Sequence, residues 1–266
     1  MLSVYKHPFG ALNTVIYSHE LSKYFLDESV TSILEVGCGI GVFAFRYASS
    51  HRDVSVMGVD ISPKTIEYLS SHYGKYYKNL QLKTCDFCEE GLHLENAFDA
   101  VYSSDVLEHV TNTQIFVDNI FRHLRVGGRT VVTFPNLTSH GINHFNEVAD
   151  VRTLFAAFSD VKVFTVSIDH RIQKLYFAAR SLYERLFSRS TTEERNRLNC
   201  DREEQGIDCF EDSTCFKFIH NKGRLFNLMA SIFVEAFLLI KPKIIVRQVE
   251  SGTILNCSRL VIVAIK

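Results

Sequence analysis

Apolar residues are distributed along the first two thirds of the chain in two alternating ways. The runs at 32–36, 54–59 and 98–103, and again at 130–134, are short and mostly apolar, with a further short strand expected at 80–84. That is the pattern of strands buried on both faces. A sixth segment, 161–168, alternates apolar and polar as a strand does. Between these runs, 42–49, 62–73, 113–124 and 148–158 carry apolar residues at helical spacing, and 19–28 reads as a short amphipathic helix. Ser62-Pro63 supplies an N-cap followed by proline at the first helical position. Gly127-Gly128 is expected to end the 113–124 helix, and Pro135-Asn136 to stop the fifth strand. Strand and helix at this spacing imply a doubly wound α/β fold, a parallel sheet with helices on each face.

The rhythm breaks at 169–258. This stretch holds an amphipathic segment (172–187), a charged loop (188–206) and a very apolar helix near 224–240, before a β-branched run at 260–265 fit to be a last strand. The expected division is a core of 1–168, a mainly helical insertion of 169–258 that chooses the acceptor, and a last core strand in 259–266. In the apolar helix, Asn227, Ser231 and Glu235 form one narrow polar stripe, and Lys222, Arg224, Lys241 and Lys243 flank it. Such a helix is buried in the monomer or at a homodimer interface. Its alternative is to lie in a membrane interface and reach a lipid-linked acceptor. It is too short, and too interrupted by Glu235, to span a bilayer.

Composition narrows the partners. With 266 residues, 46% of them hydrophobic, the chain has enough apolar surface for a sizeable core. A formal net charge of -1 gives no reason to expect a nucleic acid. Seven cysteines without a repeated short spacing make neither a disulfide framework nor a zinc ribbon. The opening MLSVYKHPFG lacks a secretory pattern, so a cytoplasmic protein is expected, membrane-associated if the 224–240 helix meets lipid.

The chemistry concentrates where the first strand ends, in Ile33-Leu-Glu-Val-Gly37-Cys-Gly39-Ile-Gly41. Alternate glycines let the backbone turn tightly and let a ligand approach without Cβ interference, at the positive end of the next helix. Asp60 ends the second strand, placed for a carboxylate to accept ribose hydroxyls. This G-x-G-x-G loop with Glu35 before it resembles the signature of class I S-adenosylmethionine-dependent methyltransferases. The resemblance runs from 30 to about 168 and includes Thr84-Cys85-Asp86-Phe87 and Leu124-Arg-Val-Gly127-Gly128, where Val126 replaces the family's proline. It implies a seven-stranded sheet with S-adenosylmethionine as cofactor. The implied cofactor contacts come from Glu35, Gly37, Gly39, Gly41, Asp60 and Ile61, from Asp86 and Phe87 at the adenine, and from Ser104.

Asp105-Val-Leu-Glu108-His109-Val110 follows the fourth strand and is similar to the ubiquinone-pathway and glycan O-methyltransferases. The resemblance implies His109 as a base for an acceptor hydroxyl, with Glu108 either orienting the imidazole or lying toward the cofactor. The alternative is that both only cap the next helix. In some members an acid-x-x-Glu-His cluster with a later His, here His140 or His144, binds a divalent cation. Because Asp105 is shorter than the usual Glu, metal-independent work is the expectation. His144 stands either in the acceptor pocket or as a loop residue. The function these features imply is O-methylation of a hydroxyl on a small molecule, glycan, quinone or phenol precursor. N-methylation, or cofactor binding without catalysis, is the alternative.

Overall fold

The computed structural model describes residues 17–168, apart from 18, 19, 24, 27, 28, 40, 73, 90, 91 and 140, together with 244–266. The chain divides into two compact units, Tyr17–Ser167 with Ile244–Lys266, and Met1–Ile16 with Ile168–Lys243. The expected features at 172–187, 188–206 and 224–240, and His140, lie outside the described residues.

The core unit alternates as expected: β1 (Ser32–Val36), α1 (Val42–Ser50), β2 (Ser55–Asp60), α2 (Pro63–His72), β3 (Leu80–Thr84), β4 (Phe98–Ser104), α3 (Thr113–His123), β5 (Leu124–Asn136), α4 (Val148–Leu154) and β6 (Asp160–Ile168). Two further strands follow, β7 (Ile244–Val249) and β8 (Cys257–Ile265). Within the expected 19–28 helix, residues 20–23 and Phe25 are helical.

The sheet has the order β3-β2-β1-β4-β5-β8-β6-β7. β3, β2, β1, β4 and β5 run parallel, and β8 enters antiparallel between β5 and β6. The fold is therefore the class I Rossmann-like one, with eight strands rather than seven. The added edge strand, β7, comes from the stretch expected to be insertion, so 244–258 belong to the core unit. Its alternating IIVRQV leaves one face polar, as an edge position allows.

β5 starts earlier than the expected 130–134 and runs on into the Pro135-Asn136 pair expected to stop it, ending at Asn136. The strand continues to Asn136 because β4 has ended beside Thr133, and β8 accommodates a register shift between Phe134 and Asn136. Proline is tolerated at such a bulge, where its missing N–H breaks no ladder. α4 is shorter than expected: after Leu154 the chain turns through Phe155 and Phe158, whose rings still reach the core.

One apolar core runs through the sheet, from Leu34 and Val36 through Val101, Val132 and Ile262, and is closed by Phe116 and Ile120 of α3. At the opposite end from the glycine loop, Asp99 takes the amides and hydroxyls of both Thr31 and Ser32 and pairs with Arg125 at 2.7 Å. Partial burial would raise its pKa. The hydrogen bonds from Thr31, Ser32 and Arg125 outweigh that and hold the carboxyl well below its ordinary range.

Candidate functional site

The sheet order reverses between β1 and β4, so their carboxyl ends open side by side. In open α/β sheets this crevice is where ligands bind. After β1 the chain turns through Gly37 (φ 70°), Gly39 (φ 48°) and Gly41 (φ 73°), all left-handed. The Cys38 amide donates to the Val59 carbonyl at 2.8 Å, which ties the loop to β2. A Cβ on Gly37 would run into Val106 Cγ2, and one on Gly41 would meet the Phe45 ring at 2.6 Å. A Cβ on Gly39 would meet nothing within 4 Å. Gly37 and Gly41 are thus glycines for packing, and Gly39 faces open space.

Glu35 and Asp60 hold this loop from below. Gly41, the N-cap of α1, has no side chain to offer, and Glu35 accepts the Ala44 amide at 2.9 Å in its place. Burial pushes the Glu35 pKa well up. The Ala44 hydrogen bond opposes this and the Asp60 charge adds to it. Asp60 bridges two loops, with Oδ2 accepting the Gly39 amide at 2.7 Å and Oδ1 the Ser62 amide at 3.0 Å. Ser62 caps α2 as the sequence implies, accepting the Thr65 amide at 3.3 Å. Each Asp60 oxygen keeps a lone pair for a further donor. Beside it Ile61 is 55% exposed, an unusual position for a bare aliphatic chain. The open space at Gly39, the Asp60 carboxylate and an exposed apolar face at Ile61 together fit a nucleoside-bearing ligand.

Asp86 and Phe87 serve different ends. Asp86 Oδ1 accepts the Cys88 amide at 2.9 Å, shaping the turn after β3. Phe87 is buried against Phe116 and His123, with its carbonyl held by Asn119. Its ring packs in the core beside Phe116 and His123. The periodicity of a loop tetrapeptide does not reveal which of its side chains turns inward.

At the end of β4, Tyr102 is the register partner of Glu35, and its ring stacks on Phe43 at 3.9 Å. Its hydroxyl is buried with no hydrogen-bond partner, and burial raises its pKa. Ser104 Oγ donates to Asp105 Oδ2 at 3.1 Å. Asp105 turns the chain in a left-handed conformation (φ 58°), its amide on the Thr133 carbonyl at 2.8 Å. Arg259 Nη2 of β8 lies 2.9 Å from Asp105 Oδ1, and the guanidinium sits 4.4 Å over the Tyr17 ring.

This turn leads into the pair expected to handle a proton. The Glu108 side chain is fully buried, and neither carboxyl oxygen has a hydrogen-bond partner. Burial pushes its pKa up to about 7; its own backbone amide opposes the rise, Asp105 adds to it and Arg259 opposes it. His109 has a 58% exposed side chain, with Nε2 3.8 Å from Glu108 Oε1. The Glu108 carbonyl accepts the amides of Ile142 and Asn143, and Asn143 Nδ2 in turn donates to the carbonyls of Leu107 and Val110. A Cβ on Gly141 would meet the Glu108 backbone oxygen, so glycine is required for this approach. His144 follows on the same loop, its Nδ1 buried without a partner.

Among the described residues no three His, Cys, Asp or Glu side chains converge as metal ligands. Asp105, which the resemblance placed in such a cluster, is engaged by Arg259. Arg259 and Tyr102 are the site residues that sequence reasoning missed. A lone arginine inside the apolar run Leu260–Ile265 and its lead-in Cys257-Ser258 was the available signal for the first.

The loop, the reversed sheet order and the antiparallel β8 define the class I methyltransferase fold. The chain belongs to the methyltransferase domain family, whose match spans residues 27–177. It is 28% identical over 133 residues to phosphoethanolamine N-methyltransferase 1 of Triticum aestivum, covering 48% of this chain and 26% of that enzyme. It is 30% identical over 125 residues to the ubiquinone biosynthesis O-methyltransferase of Rickettsia akari, covering 47% and 45%. The chain therefore spans less than half the length of these curated relatives. Among solved structures it resembles Haemonchus contortus phosphoethanolamine N-methyltransferase 2 in complex with S-adenosyl-L-methionine (TM-score 0.51, 19% identity, 96% of this chain and 52% of that one). A second, a SAM-dependent methyltransferase from Thermotoga maritima, has TM-score 0.52 at 12% identity, covering 95% and 89%. Likeness at these identities concerns the fold.

Proposed function

We propose that this chain binds S-adenosylmethionine at the Gly37–Gly41 loop and Asp60, and methylates a hydroxyl of a small molecule, glycan, or quinone or phenol precursor. When bound, the cofactor supplies an electrophilic methyl group on a sulfonium centre. Gly39 leaves room for it, Asp60 accepts its ribose hydroxyls, and Ile61 offers an apolar face to its base. Much of the rate comes from holding the acceptor oxygen in line. His109 takes the proton that the oxygen loses, and Glu108 orients the imidazole from behind. The observation that carries this reading is an exposed imidazole at the carboxyl end of β4 with the buried carboxyl of Glu108, which has no hydrogen-bond partner, 3.8 Å from its Nε2. An imidazole, with its pKa near neutrality, suits that proton transfer.

Similarity to the wheat phosphoethanolamine enzyme supports a second reading, methylation of an amine nitrogen. Purified protein with S-adenosylmethionine and two acceptor panels, catechols and sugars against ethanolamine and its phosphate ester, separates the two. The expected result is S-adenosylhomocysteine formed with hydroxyl acceptors, abolished by His109→Ala while cofactor binding stays intact. Turnover only with amines would replace the first reading by the second. Cofactor binding with no turnover on either panel would favour a non-catalytic binding protein. The cytoplasmic setting, and contact of 224–240 with a membrane or a second copy, are further proposals. No helix among the described residues is long and apolar enough to cross a membrane.

A further inference from the structure

We infer that Arg259, on the last strand, is a positioning residue: by holding Asp105 it fixes the turn that presents Glu108 and His109 to the acceptor. The inference rests on the proton-handling role proposed for that pair. Arg259 is 9% exposed in the middle of the sheet, where an arginine is costly unless its charge is met. It meets three elements at once. Nη2 lies 2.9 Å from Asp105 Oδ1 after β4, Nη1 lies 3.5 Å from Thr133 Oγ1 on β5, and the guanidinium covers Tyr17. Nothing in a purely structural role for β8 calls for a cation there, since Val261, Ile262 and Ala264 fill that strand's core positions.

What the cation holds is a strained turn. Asp105 adopts φ 58°, a conformation that a non-glycine residue keeps only when its surroundings insist. The insisting groups are the Thr133 carbonyl, which takes the Asp105 amide at 2.8 Å, Ser104 Oγ at 3.1 Å, and Arg259. The next turn follows directly, with the His109 amide on the Val106 carbonyl at 2.8 Å and Val106 packed against Gly37 of the cofactor loop. A shift of Asp105 is therefore passed to His109 through four residues of tight backbone. Arg259 touches no reacting atom in this scheme. It sets where the base stands.

The test follows amide hydrogen exchange at Asp105 and His109, a readout that needs no acceptor, together with S-adenosylmethionine affinity and turnover. In Arg259→Met both amides should exchange at least about tenfold faster than wild type, the factor for losing one charge-assisted hydrogen bond. Cofactor affinity should stay within about twofold, and turnover should fall in kcat rather than KM. Arg259→Lys should recover part of the protection. Asp105→Gly, which adopts φ 58° freely and needs no clamp, should restore protection and kcat in the Arg259→Met background. Unchanged exchange in Arg259→Met, or no rescue by glycine, would overturn the inference. If Arg259→Met does not fold, Arg259→Gln, which keeps a polar side chain but loses the charge, decides: local loss of protection at Asp105 and His109 supports the role, and wild-type exchange there refutes it. His109→Ala with undiminished turnover would instead defeat the proton-handling reading and leave the exchange result standing.

Discussion

The carboxylate of Asp60 accepts the Gly39 amide at 2.7 Å, so the residue ending β2 sets the shape of the loop that follows β1. Asp60 thereby combines two jobs: it fixes the loop and, in the proposed function, it receives the ribose. Asp60→Ala should weaken S-adenosylmethionine binding by about 1.5–3 kcal/mol, the range for hydrogen bonds to a charged group. Asp60→Asn should not be conservative, because one oxygen would become an N–H facing the amide of Gly39 or Ser62. Isothermal calorimetry on both variants, with circular dichroism to confirm folding, measures this. Unchanged affinity in Asp60→Ala would reduce the residue to a loop brace.

Three glycines in one loop should respond differently to alanine. At Gly37 the added Cβ collides with Val106, so Gly37→Ala should lower thermal stability by about 1–3 kcal/mol of overpacking. At Gly39 the Cβ has open space, and only the left-handed backbone resists, at about 1–2 kcal/mol. A bulkier Gly39→Val should fold yet lose the cofactor, whose expected affinity is micromolar, about -8 kcal/mol. Thermal shift with and without S-adenosylhomocysteine separates the two effects. Retained binding in Gly39→Val would move the cofactor elsewhere.

Glu108 gives the stability a pH signature. Its folded pKa, about 7, lies above that of an unfolded glutamate, so the folded state favours the protonated form. The contribution is fully present below about pH 4.3 and is lost as pH rises through about 7, by up to about 3 kcal/mol. Glu108→Gln should therefore gain relative to wild type between pH 5 and 8 in urea titrations. A pH-independent difference would mean that Glu108 is not buried as described.

Turnover should survive exhaustive chelation. Asp105 is committed to Arg259, and no metal-ligand cluster forms among the described residues. Loss of activity with chelator, restored by magnesium or a transition metal, would reverse this expectation and bring His140 or His144 into the site.

How much of this was legible beforehand follows from what periodicity can carry. β1, β2, β4 and β5 are apolar on both faces because the sheet buries both, and a linear pattern records that directly. The glycine loop and Asp60 were legible because their spacing is itself the geometry. Phe87 was not, since its direction depends on Phe116 and His123, about 30 residues away. Arg259 was not, because a charge among β-branched residues reads as an edge until its partner in the turn after β4 is known. β7 was hidden for the opposite reason: its alternate positions are polar, and it follows Lys241 and Lys243 within the stretch expected to be insertion. Tertiary partners, absent from any local window, decided each of these.

The place of β8 bears on how the chain is made. β6 and β7 join the parallel half of the sheet only through Cys257–Ile265, which is synthesised after both. Until those residues leave the ribosome, β5 carries an open edge of Val131, Val132 and Phe134, backbone groups unpaired and side chains apolar. Such an edge is a template for foreign strands. A nascent chain of this protein should accordingly need shielding until Cys257–Ile265 have emerged, and tolerate badly any pause just before them.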